Sequence, residues 1–160
     1  MARDNSELIA WSPKFSVGVK LIDDQHKGLL GLINDMFNHV VGNEEDEHAY
    51  FRDVIREAVQ YVKVHFATEE KIMTATKFPG YIEHKKAHDD FVRAVVINIR
   101  DYEAGKRLTL TKFTYFLKEW VLTHIAVMDK RYFEYFTGIA SRKANGKISI
   151  TSADVASRNF

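Results

Sequence analysis

Cysteine is absent from this 160-residue chain, which excludes disulfide bonds and metal sites built on thiolates. The N-terminus, MARDNSELIAWSP, lacks the basic and then apolar pattern of a secretory signal peptide, so we expect a cytoplasmic protein. No apolar run approaches the ~20 residues that a membrane-spanning helix needs. The sequence therefore predicts a protein that does not insert into a membrane.

Excess charge of either sign is also missing. The chain has 23 basic and 22 acidic residues, which gives a net charge of +1. Because no strong field would attract nucleic acid or an anionic membrane, we expect neither as a partner. The length suits a single domain, since a chain of about 150 residues buries roughly two-thirds of its unfolded surface.

Apolar residues recur at the three-and-four spacing of a helix face in four segments of the chain. Representative positions in the four segments are Ile22, Leu29, Ile33 and Met36; Val54, Val62, Phe66 and Met73; Tyr81, Phe91, Val95 and Ile99; and Phe113, Leu117, Trp120 and Ile125. Only KISIT, near the C-terminus, alternates as a strand would. The pattern predicts four helices.

Glycine and proline mark the breaks between these helices. Gly42 and Pro79 separate the first three, and the fourth is expected to end near Gly138. Short connections favour antiparallel neighbours, so we predict an all-α, up-down-up-down four-helix bundle with an N-terminal arm, over residues 1–138. Residues 139–160 are mostly polar and poorly patterned, and we expect them to form a loose C-terminal tail.

Side chains that bind metals interrupt the apolar stripes of all four helices. Five histidines and two carboxylates lie in or beside the stripes: His26, His65, Glu69, His84, His88, His124 and Asp129. A single buried histidine is usually a hydrogen-bonded core residue. Counted from the helix ends at about 1.5 Å per residue, however, all seven fall near one level of the bundle. Burying so many polar groups without strong mutual bonding would be costly, so we predict a shared metal site.

The spacing of these residues suits chelation in two of the helices. One pair in the second helix and one in the third are four residues apart, so each pair lies on one helix face. His124 and Asp129 are five apart, about 140° around an ideal helix, and should diverge and reach inward from either side. Histidine and carboxylate ligands without sulfur suit iron, zinc, manganese or copper. The number of ligands indicates two metal ions.

This arrangement resembles the hemerythrins, and among them the single-domain bacteriohemerythrins. Four segments carry the resemblance: DDQHK with His26, HFATE from His65 to Glu69, HKKAH from His84 to His88, and HIAVMD from His124 to Asp129. WSPKFSVGV, with Trp11 and Phe15, is similar to the arm that precedes the first helix in this family. The resemblance covers about residues 11–136, and no ligand position departs from the pattern.

The resemblance implies two iron ions in an oxo-bridged centre. It places the ligands in two groups joined by two bridging carboxylates: His84, His88 and His124 on one iron, His26 and His65 on the other, and Glu69 and Asp129 as the bridges. Two octahedral metals have about twelve coordination positions, and these ligands with the bridging oxygen fill all but one. The open position falls on the iron with two histidines, where dioxygen would bind reversibly.

Four apolar residues match positions that resemble the family's oxygen pocket: Phe66, Trp120, Val121 and Ile125. Residues of this kind also pack as ordinary core, and the two roles are compatible. His39 and His48 belong to no ligand pair, and we expect them to have surface or structural roles.

The resulting hypothesis is a protein that is not an enzyme and that binds dioxygen for storage, delivery or sensing. The alternative is a di-iron enzyme such as an oxidase or peroxidase. Ferritin-like di-iron enzymes use Glu-x-x-His pairs and more carboxylates, whereas this chain has His-x-x-x-Glu and two carboxylate ligands. The inventory of ligands favours oxygen binding over catalysis.

Overall fold

The computed structural model describes residues 7–42, 47–104 and 110–144. Its elements are a 3₁₀ turn at Pro13–Phe15, helix α1 at Lys20–Gly42, α2 at Glu47–Thr76, α3 at Tyr81–Glu103, α4 at Leu110–Thr123, a π-helical turn at His124–Asp129, and α5 at Lys130–Ala144. The backbone stays helical on both sides of the π-helical turn, so α4, the turn and α5 form one continuous fourth helix. The predicted all-α four-helix bundle is confirmed.

The connection between α2 and α3 follows from one residue with a positive φ. Lys77, at φ 53°, occupies the left-handed position that glycine usually takes after a helix. The backbone N–H of Phe78 donates to the carbonyl of Met73 at 2.9 Å, and that of Lys77 donates to the carbonyl of Thr74 at 3.2 Å. These bonds satisfy two of the last four carbonyls of α2. Pro79, which cannot continue a helix, follows at once, and α3 begins at Tyr81.

The fourth helix is longer than the sequence indicates. It continues past Gly138 to Ala144, so the predicted end near Gly138 is wrong. A glycine inside a helix costs only about 1 kcal/mol relative to alanine, and a Cβ at Gly138 would meet no atom within 4 Å. Glycine therefore weakens this helix without ending it. The rest of the predicted tail, with KISIT, lies outside the described residues.

Two apolar clusters form the core of the bundle. The larger one includes Leu29, Phe66 and Val121, and the smaller one includes Ile22 and Tyr132. Along the chain, His26 falls between Ile22 of the smaller cluster and Leu29 of the larger one. A polar side chain therefore lies where the two clusters meet.

The N-terminal arm is tied to α1 by polar contacts. Asn34 pairs with the backbone of Ile9 through two hydrogen bonds of 2.9 Å, one in each direction. Asp23 accepts hydrogen bonds from the backbone of Val17 at 2.8 Å and from the hydroxyl of Ser16 at 2.7 Å. Phe15 is buried between these anchors. The arm thus runs along α1 from the level of Asn34 to that of Asp23.

No helix within residues 7–42, 47–104 and 110–144 is long and apolar enough to cross a membrane.

Candidate metal centre

The seven predicted ligands meet in one buried cluster. None of them is more than 2% exposed. Their potential ligand atoms form two groups, each with all atoms within 4.8 Å of one another: Glu69, His84, His88, His124 and Asp129 in the first, and His26, His65, Glu69 and Asp129 in the second. The two carboxylates belong to both groups. The structure therefore brings together every side chain that the sequence placed at this level.

Each carboxylate directs one oxygen to each group of histidines. Glu69 Oε2 lies 3.5 Å from His84 Nε2 and 3.4 Å from His88 Nε2, whereas Oε1 lies 3.8 Å from His65 Nε2. This division of oxygens is what a carboxylate between two cations would show.

Asp129 divides its oxygens in the same way. Its Oδ1 lies 3.2 Å from His84 Nε2 and 3.0 Å from His124 Nε2, and its Oδ2 lies 3.2 Å from His26 Nε2. His88 Nε2 and His124 Nε2 are 3.0 Å apart. Three histidine nitrogens thus converge on one side of the two carboxylates and two on the other.

The π-helical turn explains how His124 and Asp129 reach the same centre. In an α-helix, side chains five residues apart diverge by about 140°. A π-helical turn has i to i+5 hydrogen bonds, so residues five apart come nearly one above the other. Both residues lie in the turn, and their ligand atoms are 3.0 Å apart. The expectation that the two side chains reach inward from either side is therefore wrong.

Buried polar atoms without hydrogen-bond partners indicate that the cluster is a cation site. Among the described residues, six buried atoms that face its centre have no hydrogen-bond partner: His26 Nε2, His84 Nε2, both oxygens of Glu69 and both oxygens of Asp129. Buried polar atoms normally find such partners. Lone pairs of imidazole nitrogen and carboxylate oxygen that face one another in this way are satisfied when they share metal ions.

The electrostatics of the cluster also favour the binding of metal ions. Burial is the main cause that lowers the pKa of His65 to about 3 and that of His88 to about 2, so both rings are neutral and can act as ligands. Burial, with the charge of Asp129, raises the pKa of Glu69 to about 8. Burial opposes the charged form of His84, but the carboxylates of Asp129 and Glu69, 3.2 and 3.5 Å from its Nε2, outweigh burial and raise the pKa of His84 to about 9.

Asp129 is the ionised member of the cluster. Burial alone would raise its pKa, but His124, His26 and His84 outweigh burial and hold the pKa of Asp129 well below its usual range. Without metal, a proton on a neighbouring side chain compensates this charge. A cation can replace that proton, because metal binding requires deprotonated ligands.

Comparison with known proteins identifies the family. The family described as "Hemerythrin HHE cation binding domain" matches residues 17–136, which is most of the chain. The chain belongs to the hemerythrin family. Its cluster of histidine, glutamate and aspartate suits the cation site for which the family is described.

Relatives and solved structures agree with this membership. The chain is 32% identical over 124 residues to a bacteriohemerythrin of Pseudomonas aeruginosa, covering 78% of each chain. It is 30% identical over 122 residues to a hemerythrin of Themiste dyscrita, covering 76% of this chain and 88% of that one. A crystal structure of wild-type hemerythrin superposes with a TM-score of 0.70 at 26% identity, covering 79% of this chain and 96% of the other.

Hydrogen bonds of the Nδ1 atoms, on the side of each ring away from the cluster, orient three of the five histidines in this hemerythrin domain. His26 donates from Nδ1 to the carbonyl oxygen of Phe15 at 3.3 Å, and His65 donates from Nδ1 to Gln25 Oε1 at 2.9 Å. His88 donates from Nδ1 to Glu70 Oε1 at 3.1 Å. Each such bond fixes the tautomer and directs Nε2 to the centre.

Sequence reasoning missed Gln25 and Glu70. Both are polar residues directly beside a predicted ligand, in DDQHK and in HFATEE, and this adjacency is the signal that could have found them. Glu70 is also 3.6 Å from the ammonium of Lys85, so it connects His88 to the surface of the bundle.

The four residues predicted for an oxygen pocket lie beside the cluster. Phe66 stacks on the ring of His88 with centroids 3.6 Å apart, and Trp120 stacks on His124 at 4.2 Å. Val121 and Ile125 are buried in the larger apolar cluster. Phe66 also lies 5.9 Å from the ring of His65, so this apolar set reaches both groups of histidines, and its role in oxygen binding stays a prediction.

Of the two histidines expected to lie outside the site, His39 stacks on Tyr50 with centroids 3.5 Å apart. It belongs to neither group of potential metal ligands. The side chain of His48 lies outside the described part of the chain.

Proposed function

We propose that this domain binds dioxygen reversibly at an oxo-bridged centre of two iron ions held by the seven clustered side chains. The observation that carries the proposal is the division of carboxylate oxygens between the two groups of histidines. In the proposed assignment, Glu69 and Asp129 would each bind both irons, and the remaining ligands would divide as three and two: His84, His88 and His124 on one iron, and His26 and His65 on the other.

The names of the relatives support this choice of metal and ligand. Proteins called hemerythrin and bacteriohemerythrin match along more than three-quarters of this chain. Two iron ions would supply the electrons that dioxygen takes up on binding. Storage, delivery and sensing of oxygen all rest on this one property.

The unequal number of histidines determines where dioxygen should bind. His26 and His65 give their group one protein ligand fewer than the three-histidine group has, so an exogenous ligand finds a free coordination position on their side. The Nδ1 atoms of both rings are held, by the Phe15 carbonyl and by Gln25. These bonds keep the two ligands in place when the small molecule arrives or leaves.

Apolar surroundings favour binding over onward chemistry. Phe66 contacts both groups of histidines, because its ring stacks on His88 with centroids 3.6 Å apart and lies 5.9 Å from the ring of His65. Val121 and Ile125 are buried in the same apolar cluster as Phe66. Such a wall keeps water and protons away from bound dioxygen, which is what reversible release requires. We therefore propose carriage in preference to an oxidase or peroxidase activity.

The experiment is an absorption spectrum of the iron-loaded protein with and without oxygen, combined with metal analysis. We expect two irons per chain, a near-ultraviolet band from the oxidised oxo-bridged centre, and an oxygenated spectrum that reverts when oxygen is removed. One metal per chain, or mainly zinc, would contradict the di-iron proposal. Steady consumption of oxygen with a reductant, without an oxygenated form, would favour the enzyme.

A further inference from the structure

An apolar cavity lies inside the bundle, next to the metal centre but separate from it. It measures about 270 Å³ and is lined by residues of α1, α2, α3 and α4. Leu29, Val62, Phe91 and Leu117 form its inner wall. Three of these residues are one helical turn from a metal ligand, yet no metal ligand and no residue of the predicted oxygen pocket lines the cavity.

The cavity is larger than a diatomic gas requires. An apolar cavity of about 150 Å³ in a protein can hold a benzene molecule, so 270 Å³ has room for an aliphatic chain of roughly eight carbons. Its inner wall carries no polar group that could hold water. A dry space of this shape is best filled by hydrocarbon.

The mouth of the cavity opens between α2 and α3. Val92 and Val96 line it and are 45% and 40% exposed, so this side of the cavity reaches the surface. Lys63, also exposed, is the one charged residue in the lining. Its ammonium, on a flexible stem, can meet an anionic group at the opening.

We propose that this cavity binds an aliphatic monocarboxylate, with the chain inside and the carboxylate paired with Lys63 at the mouth. The size of the cavity sets the length of the chain, and the sign of the charge at the mouth selects the head group. The proposal concerns this cavity alone and does not depend on oxygen binding at the metal centre.

The test is isothermal titration of the iron-loaded protein with octanoate, kept monomeric in solution. Octyltrimethylammonium, with the same chain length and the opposite charge, and uncharged 1-octanol are titrated in parallel. We expect one octanoate per chain, bound about tenfold more tightly than the cation. The absorption spectrum of the iron centre should not change, because the carboxylate stays at the surface.

Two kinds of variant separate the head group from the chain. Lys63→Gln should weaken octanoate about two- to fivefold, as expected for an exposed ion pair, and should leave 1-octanol unchanged. Lys71→Gln, at an exposed lysine of the same helix that does not line the cavity, is the matched control and should alter neither. Ala58→Leu places three more carbons in the cavity and should weaken octanoate and 1-octanol together.

Val95→Leu is a smaller filling change, for use if Ala58→Leu does not fold, and should have the same effect to a lesser degree. Absence of octanoate binding would overturn the proposal. So would equal affinity for the anion and the cation, which would mean a site for uncharged chains only. Binding that survives the filling variants, or that changes the iron spectrum, would place octanoate elsewhere and would also refute it.

Discussion

Replacing Glu70 by alanine should weaken iron binding although Glu70 is not one of the seven ligands. Its Oε1 accepts a hydrogen bond from His88 Nδ1 at 3.1 Å. Of the three acceptors described above for the Nδ1 atoms of ligand histidines, Glu70 is the one carboxylate. Such a carboxylate fixes the ring and raises the basicity of the coordinating nitrogen. Losing it leaves His88 less well oriented and less basic.

The structure also limits the size of this effect. Loss of a hydrogen bond of this kind costs about 10- to 100-fold in metal affinity. The ring of His88 remains packed against Phe66, whose centroid is 3.6 Å away, so its orientation is only partly lost. We therefore expect the lower end of that range, about tenfold, or about 1.4 kcal/mol.

Two further variants divide the contribution. Glu70→Gln keeps an oxygen acceptor but loses the charge, and should fall between Glu70→Ala and the parent. Asp89→Asn is the matched control, because Asp89 contacts Lys85 at 2.9 Å, as Glu70 does at 3.6 Å, but belongs to neither ligand group. Since exposed ion pairs contribute about 0–1 kcal/mol, this control should bind iron as the parent does.

The assay is competition for Fe(II) against a chelator, without oxygen and at one pH. Two results would refute the reasoning: a Glu70→Ala variant within twofold of the parent, or an Asp89→Asn variant as weak as Glu70→Ala. The second result would show that the surface charges near α3 matter more than the hydrogen bond to His88.

Three further predictions concern the centre itself. Glu69→Ala should hold less than half of the parent's iron, whereas His39→Ala should hold nearly all of it, by metal analysis; equal iron contents would contradict the bridging assignment. Ile125→Ser should still load two irons and bind oxygen, but the oxygenated absorption band should decay faster in air; an unchanged lifetime would remove Ile125 from the pocket. Because the pKa of Glu69 is raised to about 8 and that of His84 to about 9, both are largely protonated at pH 7 without metal, so loading should release protons and affinity should fall as pH is lowered from 9 to 6. Calorimetry in buffers of different ionisation enthalpy measures this release, and a loading step without it would refute the prediction.

The sequence was sufficient to place the seven ligands at one level because helical periodicity and rise are nearly constant. Counting residues from the ends of helices put His26 opposite His65 and His84, and the buried cluster agrees. Glycine as a signal for a helix end failed at Gly138, since helix propensity is a weak guide and one glycine costs a helix only about 1 kcal/mol. Periodicity gives position along an axis better than it gives the ends of elements.

Other features depend on information that residue spacing does not carry. Adjacency to a ligand marks Gln25 and Glu70 as candidates, but which histidine each of them contacts depends on the directions of the rings. The cavity behind Leu29 and Phe91 depends on the volumes left between four packed helices. Its lining residues have the apolar spacing of ordinary core, so the sequence predicts their burial but not the space between them.

The π-helical turn shows how a departure from regular geometry serves the site. In α2, His65 and Glu69 are four apart and an α-helix aligns them; in the fourth helix, His124 and Asp129 are five apart and only a π-helical turn does so. The extra residue is accommodated locally, because the backbone is α-helical immediately before and after the turn. A spacing of five between two otherwise plausible ligands is therefore not evidence against a shared site. In a helix whose other residues keep their apolar register on both sides, such a spacing itself predicts the π-helical turn.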